Sequence, residues 1–366
     1  MNRGRLPRLC FVGWADHGHV ERWADYFARA GFDVSVVSFS GPGNYVDGVR
    51  QRSVGLKNRG PRWVVWKLRY LFWRLRPDIV HVHWAHFAVP VRRAWRGPLV
   101  VTCWGSDIYR RDQFSEREWE DMANAARASD FVTCDSEDLA TVIRTTLGVL
   151  PARIPVIQWG VDTNRFHSTG RDNAFARSLG LTERPVVLSP RSLTPLYNHE
   201  TIVRAFRRVV DSRPDAVLVL RDYGGDAAYR DKILALVREQ GLADSVRVVE
   251  PIPYERMPDL YSMATVMVSM PFSDGTPMTL LESMACGTTP ICSDLPSLRE
   301  WITDGVNGFL VPVDDPDALA KRILQVLSDG SPVKAFAELN RQIIDRRASR
   351  DVHMDRMAGL YTTINA

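Results

Sequence analysis

The sequence predicts an α/β protein with two doubly wound parallel sheets. In both halves of the chain, short apolar runs alternate with amphipathic helical stretches, a pattern typical of parallel α/β sheets. A polar connection over residues 160–184 interrupts this alternation, which then restarts. The length of 366 residues is also long for one domain and comfortable for two. We therefore expect two Rossmann-like domains facing each other across a cleft lined by loops at the carboxyl ends of the strands.

The first half begins with an apolar strand at residues 8–13 and an amphipathic helix at about 20–30. Gly31 gives this helix its stop signal. Further strands are predicted at 34–39, 79–84, 99–103 and 131–134, and the first domain is assigned to residues 1–165.

The second half repeats the alternation. Strands are predicted at 186–189, 216–221, 246–249, 266–270, 289–293 and 308–311. Helices are predicted at about 199–211, with Asn198 as N-cap, at 229–240 and from 279 to 285. This domain is assigned to 166–345, and a C-terminal helix over 346–366 is expected to pack back toward the first domain.

Composition argues against a disordered protein, a disulfide-linked protein and a membrane-spanning protein. The chain is 45% hydrophobic and 25% charged, so it can bury sizeable cores. Its five cysteines form no CxxC pair and mostly lie in apolar runs, which indicates buried thiols and no metal site. No apolar stretch is long enough to span a bilayer. The sequence predicts a cytoplasmic protein, either free or peripheral on the inner face of the membrane.

Two acidic residues mark the segment SDGTPMTLLESMACG at residues 273–287. Asp274 and Glu282 lie eight positions apart, around a turn that opens onto a helix. The N–H groups and dipole of a helix N-terminus favour a diphosphate, and Glu282 could accept hydrogen bonds from a ribose diol. The alternative is an ordinary loop with a dipole-favourable acid and a solvated glutamate.

This segment resembles the acid-x7-acid signature of family 4 retaining glycosyltransferases of the GT-B fold. PSLREWITDGVNGFLVPVDDPDALA (296–320) is similar to the end of that family's donor domain, and IQWGVDTNRF (157–166) to its interdomain segment. WGSD (104–107) resembles the acceptor-side loop of a subgroup. The likeness covers nearly the whole chain, with its motifs in the family's order.

The resemblance implies donor-binding roles. Glu282 would hold the ribose hydroxyls, Asp274 would contact the transferred sugar, and Arg191 would neutralise the diphosphate. The loop around Ile252 would lie beside the base. Backbone groups would meet the sugar and phosphates at Gly275, Thr276, Met278 and Thr279. No cofactor and no metal are expected, and family habit favours a UDP- or GDP-linked donor over an ADP-linked one.

Two positions depart from the family pattern. The first acid is usually glutamate, whereas Asp274 is one methylene shorter. The family also places a lysine about five residues after the arginine, where this chain has Leu196, Tyr197 and Asn198. Either the diphosphate clamp is weaker, or Asn198 or Arg221 supplies the missing contact.

The first domain carries the acceptor-side candidates. Gly18 and His19 lie where relatives have a glycine-rich turn, although a histidine at a helix start is often only a cap or surface group. In the WGSD loop, Trp104 could stack on a sugar, with Gly105 beside it, and Asp107 could orient or deprotonate the acceptor hydroxyl. Asp107 could equally be a helix N-cap. The catalytic candidates are Asp107, Asp274 and His19, with no covalent nucleophile.

Three histidines, His81, His83 and His86, alternate along the end of a predicted strand and its loop. Such spacing could ligate a metal ion. Because no carboxylates cluster with them, solvated or core histidines are the favoured interpretation.

A basic, aromatic stretch covers residues 50–76. The sequence from 48 to 77 has nine basic residues and no acidic one: Arg50, Arg52, Lys57, Arg59, Arg62, Lys67, Arg69, Arg74 and Arg76. On a helix, Trp63, Trp66, Tyr70 and Trp73 would form one stripe. This pattern suits an anionic membrane surface, and equally a core-packed stripe with arginines at its rim.

The charge is unevenly distributed along the chain. Residues 1–168 carry 24 Lys+Arg against 17 Asp+Glu, and the remainder carries 23 against 26. The acidic second half and the absence of a recognised motif argue against nucleic acid as a partner.

The sequence thus predicts an enzyme that moves a sugar from a nucleoside diphosphate sugar to a hydroxyl with retention. A glycan or lipid-linked sugar is the expected acceptor. The alternatives are a nucleotide-sugar epimerase and a non-catalytic nucleotide-sugar-binding partner subunit. Fold analogy alone does not separate these three.

Overall fold

Two parallel six-stranded sheets organise the computed structural model, which describes residues 5–55, 60–171, 173–328 and 332–365. The first unit holds the described residues up to Trp159 and those from Val352 onward, and the second is Gly160–Asp351. The division thus follows Trp159 instead of residue 165, and the returning C-terminal segment starts at Val352 instead of 346. The predicted class of two doubly wound α/β domains is confirmed.

The sheet of the first unit has strand order β3-β2-β1-β4-β5-β6. Its strands are β1 (Arg8–Gly13), β2 (Asp33–Ser38), β3 (Arg50–Ser53), β4 (Ile79–His83), β5 (Leu99–Thr102) and β6 (Phe131–Thr133). Every side chain of β4 and β5 is buried, because helices cover both faces of such a sheet. The polar, mostly exposed edge strand β3 has no apolar run and was not predicted. The order reverses between β1 and β4, where doubly wound sheets place ligands.

Helices of the first unit flank this sheet. They are α1 (Gly18–Arg29), α2 (Pro61–Leu75), α3 (Ala85–Ala94), α4 (Ser106–Tyr109), α5 (Glu116–Arg127) and α6 (Glu137–Leu147). Side-chain caps begin three of them. His17 Nδ1 accepts from the His19 N–H on α1, Ser115 and Glu118 form a capping box on α5, and Ser136 Oγ accepts from the Leu139 N–H on α6.

The second unit has the strand order β12-β11-β10-β7-β8-β9. Its strands are β7 (Val186–Ser189), β8 (Val217–Arg221), β9 (Val246–Val249), β10 (Val266–Ser269), β11 (Thr289–Ser293) and β12 (Phe309–Val311). Its helices are α7 (Ala174–Ser178), α8 (His199–Ser212), α9 (Ala227–Glu239), α10 (Met257–Ser262), α11 (Met278–Ala285), α12 (Pro296–Arg299), α13 (Pro316–Leu327) and α14 (Val333–Arg347). Two buried clusters form the core of this unit. The short helix α7 lies inside the connection that was predicted to be polar.

The C-terminal helix α15 (Arg350–Asn365) carries its buried side chains into the core of the first unit. Met354, Met357 and Tyr361 pack there, and the Tyr361 hydroxyl lies 2.5 Å from His81 Nδ1. The last stretch of sequence therefore completes the core that the first stretch begins.

All five cysteines are buried and carry free thiols, as predicted. Across the described ranges, no helix is both long enough and apolar enough to cross a bilayer.

Candidate functional site

The predicted donor-binding residues converge on one edge of the sheet in the second unit. Arg191 follows β7, Ile252 follows β9, Asp274 follows β10, and Glu282 lies on the helix α11 that comes next. The carboxyl ends of parallel strands meet at the same edge, so residues far apart in sequence become neighbours.

Arg191 and Asp274 form the centre of this edge. The Arg191 guanidinium donates to Asp274 Oδ2 at 2.8 Å and to Thr279 Oγ1 at 3.1 Å. Its flat face lies over the Tyr197 ring, 3.9 Å from the centroid. The Arg191 and Asp274 side chains are only 10% and 16% exposed. The arginine is therefore fixed beside the N-terminus of α11 before any ligand arrives.

Burial raises the pKa of Asp274 above its ordinary value, and the Arg191 guanidinium opposes this shift by favouring the carboxylate. The main-chain carbonyl of Asp274 also accepts a hydrogen bond from Ser297 Oγ at 2.7 Å. Both the side chain and the backbone of this residue are thus held in place.

Glu282 is buried, which is contrary to the alternative of a solvated glutamate. Its Oε1 accepts from the Tyr254 hydroxyl at 2.8 Å, and its Oε2 accepts from the Tyr261 hydroxyl at 2.9 Å. The two tyrosines satisfy and orient the carboxylate, as a buried charge requires.

Buried residues and a hydrogen bond from Trp301 support the turn that leads into α11. Gly275 and Thr276 are buried, and Thr276 Oγ1 accepts from the Trp301 indole N–H at 3.1 Å. Met278 and Thr279 are the first two helical residues and are half-buried. Pro277 is the N-cap residue of α11, and it makes no side-chain hydrogen bond to the first N–H groups of the helix.

The two residues proposed to replace the missing lysine, Asn198 and Arg221, differ in the contacts that they make. Asn198 is confirmed as the N-cap of α8, with Oδ1 accepting from the Thr201 N–H at 3.4 Å and Nδ2 donating to Asp314 Oδ1 at 3.4 Å. Arg221, the last residue of β8, is 8% exposed and lies over the Tyr223 ring at 4.1 Å.

In the first unit, the cap of α1 is His17, whose Nδ1 accepts from the His19 N–H at 3.4 Å. Gly18 is the first helical residue. His19 Nδ1 lies 2.8 Å from the Arg22 guanidinium, and its ring packs against Trp104 and Trp159. Since arginine can only donate, His19 Nδ1 is the acceptor of this pair, and a neutral ring would carry its proton on Nε2.

Trp104 lies within an aromatic cluster that the sequence did not reveal. Its indole stacks on Trp84, with ring centroids 3.8 Å apart, and meets Trp159 at 4.7 Å. Trp14, 37% exposed, contacts Trp84 at 4.3 Å. The cluster covers the carboxyl ends of β1, β4 and β5, the place where the strand order reverses.

Asp107 is not the N-cap of α4, since Gly105 holds that position with φ 95°, a conformation that favours glycine. Asp107 is buried, and its carboxylate accepts from the Ala85 N–H at 2.7 Å and from the Trp104 N–H at 2.9 Å. Burial raises the pKa of Asp107 to about 6. The carboxylate therefore ties the WGSD loop to the start of α3.

The three alternating histidines have different environments. His81 and His83 are fully buried, and His81 bonds both Tyr361 and Thr102. His86 is half-buried and lies against Phe87. In the described part of the chain no three His, Cys, Asp or Glu side chains are grouped to hold a metal ion.

Sequence reasoning missed the groups that brace the candidate site: Tyr197, Tyr254, Tyr261 and Trp301. A buried carboxylate must find donors, so the need for such partners could be inferred. Which tyrosines meet that need depends on how loops after β9 and β10 fold back.

Comparison with known proteins identifies the family and the fold of the chain. Residues 171–346 match the model of the family described as glycosyl transferases group 1, and residues 18–165 match that of glycosyltransferase family 4. A D-inositol 3-phosphate glycosyltransferase of Kribbella flavida is 26% identical over 269 residues, which are 69% of this chain and 63% of that protein. The match thus spans somewhat less than two thirds of the relative's length.

Solved structures resemble the whole chain. Sucrose-phosphate synthase from Thermosynechococcus elongatus has a TM-score of 0.85 at 20% identity, covering 98% of this chain and 99% of that one. Anabaena HepE in complex with UDP-glucose has a TM-score of 0.83 at 17% identity, covering 98% and 100%. Likeness at this identity shows the fold, which is the GT-B fold of glycosyltransferases. The two family models together account for most of the chain, which belongs to the group 1 glycosyltransferases.

Proposed function

We propose that this protein transfers a sugar from a nucleoside diphosphate sugar to an acceptor hydroxyl, with retention of the anomeric configuration. The observation that carries the proposal is the fixed arrangement of Arg191, Asp274 and Thr279 at the N-terminus of α11. A guanidinium beside helix N–H groups suits the negative charge that a departing nucleoside diphosphate develops.

Each donor group has a distinct role in this proposal. The diphosphate meets the N-terminus of α11, Glu282 accepts from the ribose hydroxyls, and Asp274 contacts hydroxyls of the transferred sugar. Tyr254 and Tyr261 hold the Glu282 carboxylate in position, so its orientation is set before the donor binds. The loop at Ile252 lies beside the base.

Uridine or guanosine diphosphate is the proposed carrier. HepE, a structure with the same fold, holds UDP-glucose. This supports a uridine donor for the present chain as the first one to test.

Catalysis in this proposal comes from stabilising the leaving group. The Asp107 carboxylate already accepts two backbone N–H groups, and it positions the Trp104 loop. We therefore assign the main rate effect to Arg191 and the helix N-terminus, and no side chain is required as a covalent nucleophile.

An anionic membrane surface is the proposed location of the acceptor. The helix α2 exposes Trp66, Tyr70 and Trp73 among the arginines Arg69 and Arg74. Such a surface suits a peripheral enzyme at the inner face of a membrane, acting on a lipid-linked sugar or a glycan precursor.

The test of the donor site is substitution of Glu282. Glu282→Ala is expected to weaken UDP or GDP binding by about tenfold or more, because the ribose loses its acceptor. The matched control is Glu239→Ala, an exposed glutamate on α9 of the same unit. Calorimetry on each variant measures affinity, and Glu282→Gln, which keeps one acceptor oxygen, guards against misfolding. Undiminished affinity in Glu282→Ala would show that the donor binds elsewhere.

A screen of nucleotide sugars separates the three candidate activities. Wild-type protein is incubated with UDP- and GDP-linked sugars, and products are followed by NMR. Free sugar of retained configuration supports transfer, a new nucleotide-linked epimer supports an epimerase, and binding without turnover supports a non-catalytic subunit.

A further inference from the structure

Arg221 is a buried cation with no anionic partner among the described residues. It is 8% exposed, and its Nε has no hydrogen-bond partner in the part of the chain that the structure describes. Within the four described ranges, no carboxylate lies at ion-pair distance from it, and its recorded contact is with the face of Tyr223, 4.1 Å from the ring centroid. Tyr223 is itself 46% exposed.

An unpaired guanidinium in such a position is unfavourable. Taking a charge out of water costs free energy that is recovered only when a counter-charge or hydrogen bonds replace the lost hydration. Arg191 shows the ordinary solution, because Asp274 pairs with it at 2.8 Å. Arg221 has no such partner across the described ranges, which points to a ligand as the source of its counter-charge.

The sheet register places Arg221 among the donor-binding residues. Leu220 pairs with Ser189 on β7, so Arg221 lies one step beyond that pair at the edge from which the chain leads to Arg191. On its other side Arg221 pairs with Val249, which precedes the loop at Ile252. Arg221 thus stands between the strand leading to the phosphate-binding arginine and the strand leading to the base loop.

Electrostatics links Arg221 to the ribose-binding carboxylate. Burial raises the pKa of Tyr261 well above its ordinary value, and the charge of Arg221 opposes that shift. The Tyr261 hydroxyl is the group that donates to Glu282 Oε2. The cation is therefore close enough to act on the cluster that holds the candidate donor.

The other candidates for the missing lysine are already engaged. Tyr197 lies under Arg191, and Asn198 caps α8 and bonds Asp314. Arg221 is the candidate whose positive charge has no counter-charge among the described residues.

We propose that Arg221 is the second cation that binds the diphosphate of the nucleotide sugar, so that Arg191 keeps its pair with Asp274. This inference rests on the proposed donor site. It replaces the lysine of the family pattern by an arginine from a different strand. Unlike a lysine, the arginine can donate to two phosphate oxygens from two separate nitrogens held in one plane.

The test compares Arg221→Met with Arg247→Met in the full chain. Arg247 lies on β9, is half-buried, and donates only to backbone carbonyls in the described structure. Calorimetry measures binding of UDP and GDP, and competition measures binding of uridine and guanosine. Arg221→Met is expected to weaken diphosphate binding by about tenfold or more and nucleoside binding by less than about twofold, and Arg247→Met to change neither. Arg221→Lys should restore part of the loss.

Thermal unfolding without nucleotide distinguishes a ligand role from a structural one. If Arg221 is kept for the diphosphate, Arg221→Met unfolds at the wild-type temperature or above it, because an unpaired buried charge has been removed. A lower unfolding temperature with unchanged UDP and GDP affinity would overturn the inference, as would equal losses for nucleoside and diphosphate. Wild-type protein that binds neither diphosphate would instead overturn the donor site itself.

Discussion

Buried charges at the edge of the second sheet define the candidate site at the residue scale. Arg191 and Asp274 neutralise each other, and Glu282 is satisfied by two tyrosine hydroxyls. Each group has been taken out of water and given partners that fix its orientation. A preorganised site of this kind spends little free energy on ordering when the donor binds.

Breaking the Arg191–Asp274 pair should destabilise the protein. Asp274→Asn removes the counter-charge of a guanidinium that is only 10% exposed, and removal of one partner of a buried pair costs about 3 kcal/mol. Urea unfolding followed by circular dichroism measures the change. The control is Asp215→Asn in the exposed pair with Arg213, where the loss should stay under about 1 kcal/mol. Equal losses in the two variants would contradict a structural pair at the site.

At the residue scale, the sequence predicted the positions of the site residues better than it predicted their hydrogen-bond partners. The spacing of Asp274 and Glu282 placed both acids at the right sheet edge, because that depends on strands and helices that the apolar pattern marks. For Asp107 the alternative of a helix cap is wrong, because its carboxylate bonds the N–H groups of Ala85 and Trp104, and its role as a base stays a prediction. Those contacts arise where loops meet, and no periodicity in the sequence encodes them.

At the scale of elements, α2 shows what helical spacing alone leaves open. The predicted stripe of Trp63, Trp66, Tyr70 and Trp73 suited either a core or a membrane. In the structure the core face of α2 is formed by Val64, Leu68, Leu71, Phe72 and Leu75. Trp66 and Trp73 are 62% and 68% exposed, so the core-packing alternative is wrong for most of the stripe. Lys57 and Arg59, which belong to the same basic stretch, lie outside the described residues.

The outward aromatic face of α2 leads to a prediction about vesicle binding. Changing Arg69, Arg74 and Arg76 together to Gln should weaken sedimentation with phosphatidylglycerol vesicles on the order of 100-fold, since each basic residue near an anionic surface contributes about 1 kcal/mol. Trp66→Ala with Trp73→Ala should weaken it as well, because indoles favour the interface.

The control for α2 is a triple Gln variant at Arg117, Arg144 and Arg153, which are exposed elsewhere in the same unit. It removes the same charge and should leave most of the binding intact. Equal losses in both triple variants would mean that net charge alone drives adsorption. If the wild-type protein does not bind anionic vesicles but does bind a protein partner, the exposed aromatic face of α2 would be a protein interface instead.

Across the whole molecule, the two units differ in their titratable interiors. Burial lowers the pKa of His17 and His86 to about 4 and of His83 to about 3, and it lowers that of His81 well below the ordinary value. All four belong to the first unit. In the second unit the corresponding residue is His199, with a pKa of about 4.

These lowered values make the first unit the more acid-sensitive one. An unfolded histidine titrates near 6.5, so between pH 6.5 and about 4 the unfolded chain binds protons that the folded unit excludes, and stability falls as the pH falls. At pH 5 each of the three with a pKa of about 3 or 4, which are His17, His83 and His86, costs on the order of 2 kcal/mol. The raised pKa of Asp107, about 6, acts in the opposite direction but returns only about 1.4 kcal/mol. The histidines therefore prevail over this opposing carboxyl.

We expect the first unit to unfold at a higher pH than the second during acid titration. All tryptophans except Trp301 lie in the first unit, so the shift of indole emission reports its unfolding. Pulsed hydrogen exchange at fixed labelling pH follows both units separately. His83→Leu should move the first midpoint to lower pH, because a fully buried ring with no hydrogen-bonded nitrogen no longer takes up a proton on unfolding. The exposed His167, changed to Gln, should leave it in place. Loss of the second unit first, or an unchanged midpoint in His83→Leu, would show that carboxylates and not buried histidines govern the acid limit.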